Sequence, residues 1–212
     1  DSGEIDKLAC DCCATDVSMA TPVPVATWRD RTPDEIRDIA VSRYADGKWQ
    51  PPVIVGNDGW QIAGCPVNGS TIAARGQRVA VAWYTAPNRQ ARVQLAWSTD
   101  GGRSFAAPVL VEAGTVSGRV DVVLLADDSA LVTWTGKSAG GEGQLRQRRI
   151  PAAGAPGPVQ VIAEAQLVAS VEPGHLLVEG SSEISESPAI VEGDTITIKV
   201  NTIATSTPFP IT

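Results

Sequence analysis

The feature that most constrains this chain is a repeat. "VPVATWRD" (Val23 to Asp30), "RVAVAWYT" (Arg78 to Thr85) and "SALVTWTG" (Ser129 to Gly136) alternate aliphatic with small or polar residues and close on a tryptophan. Those tryptophans, Trp28, Trp83 and Trp134, lie 55 and 51 residues apart. After each comes a polar loop and a second alternating run: "IRDIAVSRY", "ARVQLAWS" and "GQLRQRRI". A turn and a short proline-containing strand follow: "WQPPVIV", "FAAPVLV" and "APGPVQVI". One more strand, "STIAARG" or "RVDVVLLAD", precedes the second and third tryptophans. Alternation of period two marks half-buried strands, and Gly, Asp and Asn mark the turns. Four antiparallel strands returning every ~50 residues define a β-propeller blade. The expected fold class is all-β, a segment of about three four-stranded blades. "TPDEIRDI" is the best helical candidate in it.

From about Gln166 the composition changes. Trp, Tyr and Arg disappear, and Glu172, Glu179, Glu183, Glu186, Glu192 and Asp194 face one base, Lys199. The expected organisation is therefore blades over 1–165 and an acidic Ser/Thr/Ile-rich β tail or small module over 166–212. Propellers close with about four to eight blades. A chain of three is thus expected to be a trimmed product of a longer polypeptide, to assemble with copies of itself, or to close with its tail.

The net charge of -7, without a basic tract, excludes a nucleic-acid partner. No apolar run approaches the ~18 residues that span a membrane. No leader is visible at Asp1, as in a mature or trimmed chain. No cofactor motif is present, and no metal ligand set is assigned as the first reading.

The four cysteines are Cys10, Cys12 and Cys13 in "CDCC" and the distant Cys65 in "AGCPVNG". The spacing fits no zinc ribbon. An even count in an exported chain favours one or two disulfides joining the CDCC loop to Cys65. A soft, copper-like thiolate site is the second reading.

"STDGGRSF" breaks the second blade between its third and fourth strands. An Asp that accepts backbone N–H groups makes a self-contained turn, and glycines there take φ > 0. A calcium loop would need more oxygen ligands, and a phosphate loop would have to open a helix. The stretch matches the Asp box, Ser-x-Asp-x-Gly-x-Thr-Phe/Trp, at Ser98, Asp100, Gly102 and Phe105, with Ser104 in place of Thr. "SRYADGKW" is a degenerate copy through Ser42, Asp46, Gly47 and Trp49. Residues 10–165 thus resemble the sialidase-like (BNR-repeat) propeller superfamily. "WRDRTPDEIRDI" and "DGWQIAGCPVNG" also resemble exported bacterial proteins described as sialidase-like, which implies an extracellular or periplasmic location.

The box orients the blades. Loops 1–2 and 3–4 of a four-stranded blade share one face, and loops 2–3 and 4–1 share the other, where the resemblance places an active site. On that second face fall "RDRTPDE", "GNDGWQIAGCPVNG" and "CDCCATD", so both cysteine groups should meet there in adjacent blades. Arg29, Arg31 and Arg37 are candidate clamps for a carboxylate, because guanidinium is a planar bidentate fork. Asp58, Trp60 and Asn68 are further candidate ligand-binding residues, Trp60 as a platform for a sugar ring. Sialidase-type chemistry, which the resemblance implies, needs an Asp acid and a Tyr nucleophile helped by Glu. Asp30, Glu35 and Tyr84 are the candidates, although Tyr84 lacks an evident Glu partner. "RRIPA" copies the family's arginine motif only superficially, at a third-strand end. The charged loop may also be read as mutually paired surface groups.

Three functions follow. The first is an exported module that binds glycan or an extracellular protein through loops 29–37 and 58–68. The second is an exo-sialidase-type hydrolase whose remaining catalytic residues lie outside this chain. The third is an extracellular assembly component with a Cys-rich metal site.

Overall fold

Each tryptophan-ended run is the second strand of an antiparallel sheet in a computed structural model of the chain. The structure describes residues 3–167 and five short strands beyond them. The first sheet holds β1 (Asp16–Ala20), β2 (Val23–Arg29), β3 (Ile39–Ala45), β4 (Lys48–Trp49) and β5 (Val53–Gly56). β4 folds back on the end of β3, and β5 pairs along its start. The second sheet runs β6 (Ser70–Arg75), β7 (Arg78–Thr85), β8 (Arg92–Ser98) and β9 (Val109–Ala113). The third runs β10 (Val116–Leu124), β11 (Ala130–Lys137), β12 (Gly143–Ile150) and β13 (Gln160–Leu167).

Side-chain alternation explains how the sheets stack. On β7, Val79, Val81 and Trp83 pack with Val25, Ile39, Val41 and Val55 of the first blade. Ala80 and Ala82 between them face Val116, Val122, Val132 and Trp134 of the third. The middle blade is thus buried on both faces, so "VAVAW" carries no polar residue. Each large aliphatic or aromatic side chain so buried contributes roughly 1.5–3 kcal/mol. The two outer faces keep exposed apolar side chains: Val17 and Met19 on one, Val123 and Leu145 on the other.

Three sequence expectations change. A first strand that the repeat did not reveal, β1, precedes Trp28. "TPDEIRDI" is not helical. Pro33 occupies the second position of a turn closed by Glu35 N–H donating to the Thr32 carbonyl at 2.9 Å, and Glu35 takes φ 62°. "SRYADGKW" makes a tight hairpin, with Ala45 opposite Lys48 and Asp46 and Gly47 at positive φ. Among the described residues its Asp46 carboxylate accepts no hydrogen bond, unlike Asp100.

β13 runs across the boundary placed near residue 166. Of the tail over 166–212, the backbone is described beyond Leu167 at Ser170–Glu172, His175–Leu177, Ile190–Val191, Asp194–Ile196 and Val200–Thr202. The other calls on the tail lie outside the described residues.

Candidate functional site

The loop between β2 and β3 zips onto the loop between β5 and β6. Arg37 N–H donates to the Trp60 carbonyl at 2.9 Å, and Ile62 N–H to the Glu35 carbonyl at 3.0 Å. Backbone donors that a helix would have used inward go to the neighbouring loop instead. The segment before β1 joins them: Cys10 N–H donates to the Arg29 carbonyl at 2.9 Å. Its sulfurs form two disulfides, Cys10–Cys13 within the loop and Cys12–Cys65 between the loops. The CDCC and Cys65 groups therefore meet on one face. Gly69 permits the approach, since a Cβ there would stand 1.9 Å from the Ala14 carbonyl oxygen.

Of the ligand-binding candidates, several turn out to be committed to the framework. Arg29 is 1% exposed and donates to the carbonyls of Asn68 (2.7 Å), Arg37 (2.6 Å) and Tyr84 (2.6 Å). Burial pulls its pKa down to about 10, against the opposing charges of Asp58 and Asp38. Its guanidinium ties three backbone segments together rather than standing open as a clamp. Trp60 is 7% exposed, with the Arg29 guanidinium 5.0 Å from its ring centroid and Tyr84 edge-on at 5.7 Å. No ring face is free for a sugar, because the arginine occupies the cation–π position. Asp58 accepts from Trp83 Nε1 at 2.8 Å and from Arg92 at 3.0 Å. Asn68 accepts the Arg119 N–H at 3.1 Å and so joins the second blade to the third. Arg148 of "RRIPA" donates to the carbonyls of Gly157 and Val111.

What remains open is a cavity of about 400 Å³ lined by Asp11, Cys12, Arg31, Glu35, Arg37 and Cys65, with Ala63 and Gly64 at its edge. Arg31 and Arg37 share one carboxylate. Arg31 reaches Glu35 Oε1 at 2.7 Å, and Arg37 reaches Oε2 at 2.7 Å. Their hydrogen bonds hold the Glu35 carboxyl below its usual range. Such a group is held as a carboxylate between the two guanidiniums. Arg37 is only 4% exposed, and its Nε has no partner among the described residues. A buried guanidinium N–H without an acceptor is costly.

Asp30 precedes Arg31 in the chain and is not part of this lining. Burial raises its pKa, and the adjacent Asp6 raises it further. Burial also opposes ionisation of Asp6, yet hydrogen bonds from the Leu8 N–H and from Trp28 leave it below its usual value. The pair's environments thus push the two carboxyls apart, Asp30 upward and Asp6 downward. Burial likewise raises the Tyr84 hydroxyl pKa, against the pull of Arg29.

Sequence reasoning missed Asp6, Asp11 and Glu112. A signal for two of them existed. Trp28 donates to Asp6, Trp83 to Asp58 and Trp134 to Glu112, so each acid stands 22, 25 or 22 residues before its tryptophan.

On the opposite face, the Ser98–Phe105 turn is self-contained. Asp100 Oδ1 accepts the N–H groups of Arg103 at 2.9 Å and Ser104 at 3.0 Å, and the Ser98 and Ser104 hydroxyls complete the cradle. Gly101 and Gly102 take φ 73° and 83°, and Phe105 packs on the core between the first two blades. Burial opposes ionisation of Asp100, but these donors outweigh it and hold the pKa to about 2.

Three stacked antiparallel sheets with loops so arranged make an all-β, propeller-like segment. Its solved structural neighbours are sialidases. One is a Hadza microbial sialidase, at TM-score 0.48 and 18% identity over 76% of this chain and 40% of that one. Another is Trypanosoma rangeli sialidase in complex with sialic acid, at 0.47 and 11% over 76% and 32%. This chain thus spans less than half the length of either. The similarity is one of fold; the chemistry of this chain rests on its own side chains. No protein-family model matches the sequence, and no curated protein is similar to it.

Proposed function

We propose that this chain is an exported glycan-binding propeller module that takes a carboxylate-bearing sugar at the Arg31–Glu35–Arg37 cavity. The carrying observation is the buried Arg37 Nε, without a partner among the described residues, on one of the two arginines that share Glu35. A ligand carboxylate would supply the missing acceptor, and Arg31 can swing from Glu35 to meet it bidentately. Glu35, held at φ 62° by the turn, sets both guanidiniums in place. The cradle around Asp100 supports reading "STDGGRSF" as an Asp box, and two disulfides support export.

The test is calorimetric titration of the oxidised protein with sialyllactose and with lactose. The sialoside should bind and the neutral sugar should not. Arg31→Gln should weaken binding by about tenfold or more, as expected for a charge-assisted pair. Equal affinity for both sugars would sink the proposal.

The Asp30–Asp6 pair favours a second reading, a hydrolase in which Asp30, its pKa raised by burial and by Asp6, is the acid and Tyr84 the nucleophile. Release of fluorophore from a fluorogenic sialoside, lost on Asp30→Ala, would establish it. Binding without turnover leaves the module reading.

A further inference from the structure

The four cysteines carry more than a clasp requires. Joining two loops takes one bridge, Cys12–Cys65. The second, Cys10–Cys13, closes a separation of only 3 residues, where loop-closure entropy contributes least. Yet three of the four sulfurs crowd together. The Sγ atoms of Cys10, Cys12 and Cys13 lie within 4.8 Å of one another, and those of Cys10 and Cys12 are 3.7 Å apart although not bonded. Cys65 is bonded to Cys12 and so brings a fourth sulfur beside the three.

Thiolates about 2.3 Å from a tetrahedral d10 ion stand roughly 3.8 Å from each other. The knot already has that scale. Its ligands are uniformly soft, which selects Cu(I) or Zn(II) over harder ions. Cys10 and Cys13 are buried, at 5% and 8% exposure, while Cys12 and Cys65 stand at the mouth of the cavity. A dry inner pair and a wet outer pair give an ion a way in. Arg31 and Arg37 line the same cavity and favour thiolate over thiol.

The loop does not depend on its sulfur–sulfur bonds for position. Ala9 bridges to Asp30, Cys10 N–H donates to the Arg29 carbonyl, and Ala14 rests on Gly69. The sulfurs would thus stay gathered after reduction.

We propose that the reduced chain binds one soft d10 cation through Cys10, Cys12, Cys13 and Cys65, and that this state and the doubly disulfide-bonded state exclude each other. Each disulfide takes up two electrons and two protons to give two thiols. In the test these come from a water-soluble phosphine, which becomes the phosphine oxide with oxygen from water. The thiols lose their protons as the ion binds.

The experiment reduces the 212-residue chain anaerobically, removes the phosphine by gel filtration, and titrates it in two arms. One uses Cu(I) with a chromophoric Cu(I) chelator as competitor, and the other Zn(II) with a zinc indicator. One ion per reduced chain, none per oxidised chain, and loss of thiol alkylation on loading support the proposal; the arm with tighter retention names the ion. Cys13→Ser should lower affinity by more than about 100-fold, beyond what loss of an outer-shell partner costs. Its tryptophan emission, matched to the wild type, shows that the variant is folded. Cys65→Ser should keep Cu(I) through three sulfurs and lose Zn(II). Failure of the reduced wild type to retain either ion overturns the proposal, as does equal retention by folded Cys13→Ser. Neither result bears on sugar binding, which is measured on the oxidised chain.

Discussion

At the scale of single residues, the recurring device is an indole that donates to a carboxylate from the segment preceding its blade. Trp134 Nε1 reaches Glu112 at 2.6 Å, and Glu112 also receives Arg146 at 2.9 Å. The tryptophan is 0% exposed, so its N–H has no water to turn to. Trp97 makes the contrast, because its Nε1 is buried without a partner among the described residues. Replacing either indole by a phenyl ring removes similar volume, but only Trp134→Phe breaks a hydrogen bond and leaves Glu112 with the arginine alone. Trp134→Phe is therefore expected to cost about 1–3 kcal/mol more than Trp97→Phe. Urea unfolding followed by fluorescence measures the difference, and equal midpoints would show that the bond is energetically idle.

At the scale of the element, the Ser98–Phe105 turn joins β8 to β9 and is held by one carboxylate. The folded pKa of Asp100, about 2, lies below its ordinary value of 3.8. A depressed pKa means that the folded state favours the charged form, so the stabilisation is complete above about pH 4. It is lost as pH falls through the folded value. Because the turn is partly solvated, screening reduces the contribution to about 1 kcal/mol. Asp100→Asn should destabilise the protein by that amount at pH 7, and the gap to wild type should close between pH 4 and pH 2. A gap independent of pH would place the cost in geometry rather than charge. This turn was legible in the sequence because its ligands are local: Ser98, Arg103 and Ser104 all lie within four residues of Asp100. The strand pattern was legible for the same reason, since period two needs no knowledge of the partner sheet. The turn at Thr32–Glu35 was not. Its apolar spacing suits a helix, and only the loop carrying Trp60 and Ile62, far along the chain, supplies the acceptor and donor that hold it extended. Trp60 and Arg29 misled in the same way, because what buries each of them is the other, together with Tyr84 of the next blade.

At the scale of the molecule, the question is what keeps one blade in register with the next on the face that carries the cavity. Apolar packing between sheets is broad and tolerates sliding. Directional ties add to it: Arg29 donating to the Asn68 and Tyr84 carbonyls, Asp58 receiving Trp83, Thr27 bonded to Ser70, and Cys12–Cys65. The last closes 53 residues, the span of a whole blade, whereas Cys10–Cys13 closes 3. Chain entropy makes the long bridge worth about 4 kcal/mol and the short one about 2 kcal/mol. The double variant Cys12→Ser/Cys65→Ser should therefore lose about twice as much stability as Cys10→Ser/Cys13→Ser in equilibrium unfolding. The two should also differ in kind. Only the long bridge walls the cavity, so its loss should weaken sialoside binding in protein that remains folded, while loss of the short bridge should leave it unchanged. Equal losses of stability, with binding unaffected in both variants, would mean that Arg29 and the sheet packing alone hold the two blades in register.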